Sequence, residues 1–285
     1  MTTISVSQQA KKGISDVSVF AIVFLFFASV LLLFKTKEWG MATDWVVFYS
    51  AGKSMLSPYI GYFINPPWMA AILSPFTEFG FEASHSLWMA FSLTIVVFFL
   101  YKNKVHPISI FLVLTSPFSF IYMYSGQIDT IVLIGYMMLE ANTRFSILFL
   151  TIKPQVIIFS VIGRLNKESL VIFVVDGLII LSLSFVIWGM WIDDMYTALT
   201  NDLITTANIS LFPYLIPVGI YLLYLSYKKQ DTIYGAFATP CFTPYILPHS
   251  IFVLYALFVT RTKIKYQIIV YALSWVWFLK TKGLL

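Results

Sequence analysis

The amino-acid sequence predicts an all-α, polytopic transmembrane helical bundle. Hydrophobic residues make up 59% of the 285 residues, charged residues only 11%, and the mean hydropathy is +0.85. Soluble domains carry roughly 25% charged residues, so this composition excludes a soluble globular enzyme, a disordered chain and a basic nucleic-acid-binding domain. The single cysteine, Cys241, excludes an intrachain disulfide and a multi-cysteine metal site. We find no repeat and no soluble domain, so residues 1–285 are interpreted as a single multi-pass membrane domain.

Apolar runs of helical length follow one another along the chain. The first, 17–34, comes after Lys11 and Lys12 as in a signal peptide, but no small-residue cleavage site follows it. We therefore interpret it as a retained transmembrane helix. The later runs are 83–100, 108–124, 128–139, 145–162, 170–191, 211–227, 233–247, 250–259 and 268–279.

The basic residues predict the orientation. With the N-terminus in the cytoplasm, most of them fall in short inner loops, as the positive-inside rule requires. This threading needs run 145–162 to enter and leave on the same side, as a re-entrant pair of half-helices broken at Pro154. The inner basic residues are then Lys11, Lys12, Lys102, Lys104, Arg144, Arg164, Lys167, Lys228, Lys229, Arg261, Lys263 and Lys265.

The same threading places most carboxylates and the longest non-membrane segments, 35–82 and 192–210, on the outer face. Long loops in a chain otherwise reduced to short ones are where function is expected. We therefore expect the active site on the outer face of the plasma membrane, with outer loop 35–82 carrying the catalytic base. That loop predicts two short interfacial helices, 43–53 and 68–73, the second closed by Pro75.

Asp44 has two interpretations. It can be the N-cap of the first interfacial helix. It can also be a general base at the membrane surface, with its pKa raised by partial desolvation. The sequence leaves both open.

Lys153 lies in the middle of an apolar run, directly before Pro154. A lysine at that depth costs about 2.5–3.5 kcal/mol on insertion scales, and the broken backbone is tolerated only where protein or a water-filled cavity surrounds it. Lys153 is either a snorkelling side chain paired to a local carboxylate, or an ammonium that binds phosphate in a cavity open to the outer face.

Two further segments carry polar side chains near the predicted outer face. The tight turn Ser125-Gly126-Gln127-Ile128-Asp129 directs Gln127 and Asp129 toward the outer surface, although a simple capped hairpin has the same sequence. Three prolines within nine positions precede His249 and predict a broken helix there. A lone histidine in such a place is more often a packed or capping residue than a ligand.

The order of these motifs resembles that of a known family. After the first helix come Asp44-Trp45-Val46-Val47-Phe48-Tyr49, Pro58-Tyr59, Asn65-Pro66-Pro67-Trp68, the 125–129 turn, Lys153-Pro154-Gln155, and Thr243-Pro244 ahead of His249. This resembles the bacterial GT-C membrane glycosyltransferases of glycosyltransferase family 87, the polyprenyl-phosphate-mannose-dependent mannosyltransferases. The resemblance runs from about residue 17 to residue 249. The chain is shorter than typical members, and a second outer acidic group supporting the base is not evident.

The resemblance implies an inverting hexosyltransferase in a GT-C type bundle. It would transfer mannose or another hexose from a polyprenyl-phosphate carrier to a lipid or glycan acceptor, surrounded by membrane lipids, with neither a metal nor another cofactor and without nucleic acid. Asp44 matches the general base. The expected substrate-binding residues are Lys153 at the donor phosphate, Gln127 and Asp129 at the sugar, His249 at the phosphate or acceptor, and Tyr49 and Asn65 in the outer segment.

Two other hypotheses stay open. A polytopic transporter or lipid flippase also suits broken helices with a mid-membrane lysine, but it predicts paired breaks in two related halves. The breaks at Pro154 and at 240–248 lie in dissimilar sequence. A membrane scaffold in an envelope-polymer assembly pathway would tolerate substitution of Asp44 and Lys153.

Overall fold

The computed structural model describes residues 6–32, 43–201 and 208–284, with side chains from residue 16 onward and without those of 199–201. These residues are all helix, turn or irregular, with no strand among them. The end of the first predicted run, the start of outer loop 35–82 with Lys35, Lys37, Glu38 and Trp39, and Asp202 lie outside the described residues.

The predicted apolar runs all contain helix. The described residues form α1 Val6–Leu32, α2 Trp45–Lys53, α3 Pro67–Thr77, α4 Phe81–Lys102, α5 Pro107–Leu114, α6 Pro117–Ser125, α7 Ile131–Glu140, α8 Ser146–Leu150, α9 Pro154–Ile157, α10 Lys167–Trp188, α11 Trp191–Asn201, α12 Ile216–Lys229, α13 Thr232–Phe242, α14 Ile251–Val259 and α15 Ile264–Thr281, with 3-10 helices at Ile158–Arg164 and Pro248–Ser250.

Two of these helices, α4 and α10, are long and apolar enough to cross a membrane. The α5–α6 pair, bent by 49°, would make a third span if it crosses as one unit. Shorter apolar helices occur at Asp16–Leu32, Ile131–Glu140, Pro154–Arg164 and Pro248–Val259. The apolar residues that dominate the composition therefore lie in helices of several lengths, of which two or three are long enough to cross a membrane.

Run 108–124 is two helices and not one. Pro117 cannot donate the hydrogen bond that would continue α5, and it begins α6 instead. Ser116 caps the new helix, because its Oγ accepts a hydrogen bond from Ser119 N.

The two helices expected in the outer loop are present, with one boundary corrected. The second, α3, does not end before Pro75 but continues to Thr77 with Pro75 inside it. Pro75 removes one helical hydrogen bond, because it has no N–H to donate to Ala71 O, and the last turn still forms around it, with Thr77 Oγ1 donating to Ser74 O at 2.9 Å. Helix α2 packs closely on α3 at Gly52, where a Cβ would lie 2.6 Å from Thr77 Cγ2.

The segment 145–162 folds as the expected hairpin. Helix α8 runs back along α7, and Gly135 lets the two backbones approach, since a Cβ there would lie 2.9 Å from Leu150 N. The chain breaks at 151–153 and returns through α9 and the 3-10 helix to Arg164. Arg164 Nη2 then donates to Glu140 O at 3.2 Å, at the end of α7 where the hairpin began. The segment is therefore broken as predicted and its two ends lie close together. Entry and exit on one side of a membrane stay a prediction, after which we call this segment the re-entrant hairpin.

The returning arm of the re-entrant hairpin packs against α13. A Cβ at Gly235 would lie 2.0 Å from Phe159 O, and one at Gly163 would lie 2.4 Å from Thr232 N. Thr239 Oγ1 accepts a hydrogen bond from Phe159 N at 3.0 Å. Backbone freed by the break is thus satisfied by protein, as required at membrane depth.

Several basic residues expected on the inner face gather at the Glu140 end of α7. Arg164 pairs with Glu140 at 3.3 Å, and Lys102 and Arg261 line a cavity of about 440 Å³ with it. Arg144 binds the buried Asp176 carboxylate of α10, which also accepts from Phe145 N at 2.7 Å. The polar residues predicted for the active site lie at the other end of α7.

Two glycines test the packing of the hairpin. Gly235→Ala should destabilise the protein by about 1–3 kcal/mol, because its methyl group overlaps the Phe159 carbonyl. Gly177→Ala in α10 meets nothing within 4 Å and should be neutral or stabilise by up to about 1 kcal/mol through helix propensity. Thermal unfolding in detergent measures both, and equal effects would contradict the close approach.

Candidate active site

Asp44 occupies the N-cap position of α2, but its side chain does not cap the helix. Its backbone N donates to Ser125 O at 2.9 Å, which ties the outer segment to the turn after α6. The carboxylate Oδ2 instead accepts a hydrogen bond from Gln127 Nε2. The capping role left open by the sequence is therefore not the one that the side chain performs.

The turn that carries Gln127 depends on Gly126. This glycine ends α6 at φ +74°, a left-handed conformation that favours glycine. A Cβ would lie 2.6 Å from Trp45 Cβ and 3.1 Å from the His85 ring. Below it, Trp88 Nε1 donates to Gln127 O at 2.9 Å and the Trp88 ring stacks on Trp45.

Gln127 and Asp129 point inward and not toward the outer surface. Gln127 is 2% exposed and Asp129 is fully buried. The correction has a local cause: the left-handed turn at Gly126 reverses the chain, so the next residues enter the bundle at the start of α7. The turn is a capped hairpin, as the simpler interpretation expected, and it also supplies buried polar groups.

Lys153 lies at the break of the re-entrant hairpin, directly before α9. Its Nζ donates to Gln127 Oε1 at 3.0 Å and pairs with Asp129 Oδ2 at 3.3 Å. The residue is 9% exposed and lines a cavity, so it does not snorkel to the surface. Lys153 therefore pairs with a carboxylate, as the first interpretation expected, and also lines a cavity, as the second expected.

Asp129 contacts side chains from two other segments. Besides Lys153, it accepts a hydrogen bond from Ser250 Oγ at 2.7 Å, and His249 Nε2 lies 3.6 Å from its Oδ2. His249 and Ser250 belong to the 3-10 helix that follows the predicted break after α13. His249 is 4% exposed, and its Nε2 has no hydrogen-bond partner among the described residues.

A cavity of about 840 Å³ joins these groups to the outer segment. Five predicted site residues line it: Asp44, Asn65, Gln127, Lys153 and His249. Asp129 lies behind the lining, where it holds Lys153. Tyr49 lies elsewhere: its hydroxyl donates to Phe79 O at 3.2 Å and its ring packs edge-on against Phe81.

Sequence reasoning did not select several polar residues around this cavity, and three of them adjoin the predicted site residues. Ser250 anchors Asp129, Thr43 hydrogen-bonds the Asp44 carboxylate, and Gln155 lines the cavity beside Pro154. Each is a direct neighbour in sequence of a residue already singled out. Their positions beside a turn, a cap or a helix break were the available signal.

The surroundings of Asp44 suit a base. Burial raises the pKa of the Asp44 carboxyl above its ordinary value. The Lys153 ammonium and the hydrogen bonds from Thr43 and Gln127 lower that pKa, but their combined effect is smaller. A carboxylate with a raised pKa is a better proton acceptor than an ordinary one.

Within the described ranges, no group of three or more histidine, cysteine, aspartate or glutamate side chains is placed to hold a metal ion. No family model, curated protein or solved structure matches the chain.

Gly126 should be essential to the site. Gly126→Ala combines a strained φ with a clash against Trp45, so we expect a loss of about 2–4 kcal/mol in stability or a displaced Gln127. Gly61→Ala is the matched control: Gly61 has φ +70° but nothing within 4 Å, and should lose only about 1 kcal/mol. Thermal unfolding of both variants decides, and similar losses would mean that the contact with Trp45 is unimportant.

Proposed function

We propose that this protein is a membrane glycosyltransferase of the GT-C type. It transfers a hexose, with mannose the first choice, from a polyprenyl-phosphate carrier to a hydroxyl of a lipid or glycan acceptor at the outer membrane face. The observation that carries the proposal is the shared cavity. A half-buried carboxylate, Asp44, and a buried ammonium, Lys153, line one space of about 840 Å³.

The two charged groups suit the two ends of a glycosyl transfer. Asp44 takes the proton of the acceptor hydroxyl while the hydroxyl oxygen forms a bond to the anomeric carbon of the sugar. The bond from that carbon to the phosphate oxygen breaks, and the phosphate leaves with the electron pair. Attack opposite the leaving group inverts the anomeric centre, and Lys153 stabilises the charge that builds on the phosphate.

The position of the cavity suits a lipid-linked donor. A polyprenyl tail stays in the hydrocarbon while its phosphate needs a polar partner. Lys153 supplies that partner at the hairpin break, and the apolar helices α8 and α9 lie on either side of it. His249 lines the same cavity close to Lys153 through their shared neighbour Asp129, so it can add a donor to a bound phosphate.

Asp44→Asn tests the assignment of the base. The amide keeps the size of the side chain but cannot accept the proton, so transfer from polyprenyl-phosphate mannose to a membrane lipid extract should fall at least about a hundredfold. Radiolabelled product formed by the purified protein in detergent is the measurement. Asp193→Asn, an exposed carboxylate of α11 outside the cavity, should keep full activity.

Full activity in Asp44→Asn would overturn the assignment. Uptake of the labelled lipid into vesicles without a transferred product would favour a transporter or flippase instead. Unaltered cell-envelope composition with either Asp44 or Lys153 replaced would favour a scaffold.

The raised pKa of Asp44 predicts the pH dependence of transfer. The base must be ionised, so the rate should fall as the pH decreases through the pKa of Asp44, which lies above the ordinary value of 3.8. Because Lys153 lowers this pKa, residual activity of Lys153→Met should show an acid limb at higher pH than the native protein. A rate profile measured across the acid range decides, and an acid limb at or below 3.8, or one that does not move in Lys153→Met, would contradict a raised pKa of Asp44 set by burial and by Lys153.

A further inference from the structure

Gln127 uses both ends of its amide inside the site. Its Nε2 donates to Asp44 Oδ2, and its Oε1 accepts from Lys153 Nζ at 3.0 Å. The backbone O is occupied by Trp88 Nε1. With 2% of its surface exposed and both ends of its amide bonded to charged side chains, Gln127 is placed to position those two groups.

The amide stands between a half-buried carboxylate and a buried ammonium, where the surrounding protein lowers the effective dielectric. Opposite charges attract strongly there, and the lysine stem is long and flexible enough to approach a nearby anion. A direct pair of Asp44 with Lys153 would occupy both groups. The carboxylate would become a weaker base, and the ammonium would have to be separated from it before binding phosphate.

We propose that Gln127 is a positioning residue that acts as a neutral spacer, holding Asp44 and Lys153 apart so that both stay available. It satisfies each charge with one hydrogen bond and prevents their direct contact. The proposal rests on the proposed function for the roles of the two groups, but the separation itself is a property of the protein without substrate.

The other charged groups around Asp44 support this arrangement. Asp129, from the turn before α7, pairs with Lys153 at 3.3 Å and so gives its ammonium a carboxylate partner other than Asp44. Ser250 fixes Asp129 in turn, with an Oγ to Oδ1 distance of 2.7 Å. His249 Nε2 lies 3.6 Å from the same Asp129 carboxylate. Lys153 and Asp129 are thus the charged groups that act on Asp44 from other segments.

A double-mutant cycle without substrate tests the spacer. In the native background, Asp44→Asn should leave the unfolding temperature unchanged or raise it, because it removes a buried charge and keeps an acceptor for Gln127. In a Gln127→Ala background, the direct pair forms, and Asp44→Asn should lower the unfolding temperature by breaking it. A third replacement, Lys153→Met, should abolish that decrease.

The sign of the effect separates the spacer from a simple hydrogen bond. If Gln127 only solvates Asp44, its removal leaves a half-buried carboxylate with one hydrogen bond fewer, and Asp44→Asn would then stabilise the Gln127→Ala protein. That result would overturn the proposal. Gln127→Ser, which also removes the amide, replaces Gln127→Ala if the alanine variant does not fold. Asn103→Ala, at the far end of α4, controls for loss of an amide elsewhere.

Binding of undecaprenyl monophosphate, measured by native mass spectrometry, tests the functional consequence. Gln127→Ala should weaken binding about tenfold, the value of one charge-assisted hydrogen bond, and adding Asp44→Asn should restore it by freeing Lys153. Weakened binding without restoration would contradict the spacer. If the native protein does not bind this lipid but the sign reversal in unfolding temperature occurs, the proposed function fails and the spacer stands.

Discussion

The site depends on one constraint: a buried ammonium needs a compensating charge. Lys153 obtains it from Asp129 at 3.3 Å, and Asp129 is held by Ser250 at 2.7 Å. These three residues come from the hairpin break, the turn before α7 and the 3-10 helix before α14. Neutralising one charge therefore brings together three segments distant in sequence, and the space between them and the outer segment is the cavity.

Aromatic packing supports this polar cluster from the side of the outer segment. Trp45 and Trp88 are fully buried and stack with their ring centroids 6.0 Å apart. Trp45 begins α2 directly after Asp44, and Trp88 also binds the backbone of Gln127. The base and its amide neighbour are consequently positioned by the same pair of rings. The turn before Gln127 has room only for glycine, because a Cβ on Gly126 would lie 2.6 Å from Trp45 Cβ.

Most of the helices could be predicted from the sequence, because an apolar run or a proline determines the structure of its own segment without help from distant residues. The break at Lys153-Pro154 was predictable for the same reason, since a proline and a charge there oppose a continuous apolar helix. The inward direction of Gln127 and Asp129 was not, because it follows from a left-handed turn packed against Trp45. Tyr49 shares a motif with Asp44 but faces Phe79 and Phe81, away from the cavity. Asp44 and Tyr49 are therefore close in sequence, but their side chains lie on different sides of α2.

The re-entrant hairpin also affects how the chain is made. Helix α10 is long, strongly apolar and packed over little of its surface, so it can form before the later segments of the chain are made. The hairpin cannot, because its broken backbone needs partners such as Thr239, which lies 80 residues beyond Phe159. Its final position is therefore reached only after α13 has been synthesised, and the site is completed late, when the carboxyl-terminal helices pack against segments made earlier.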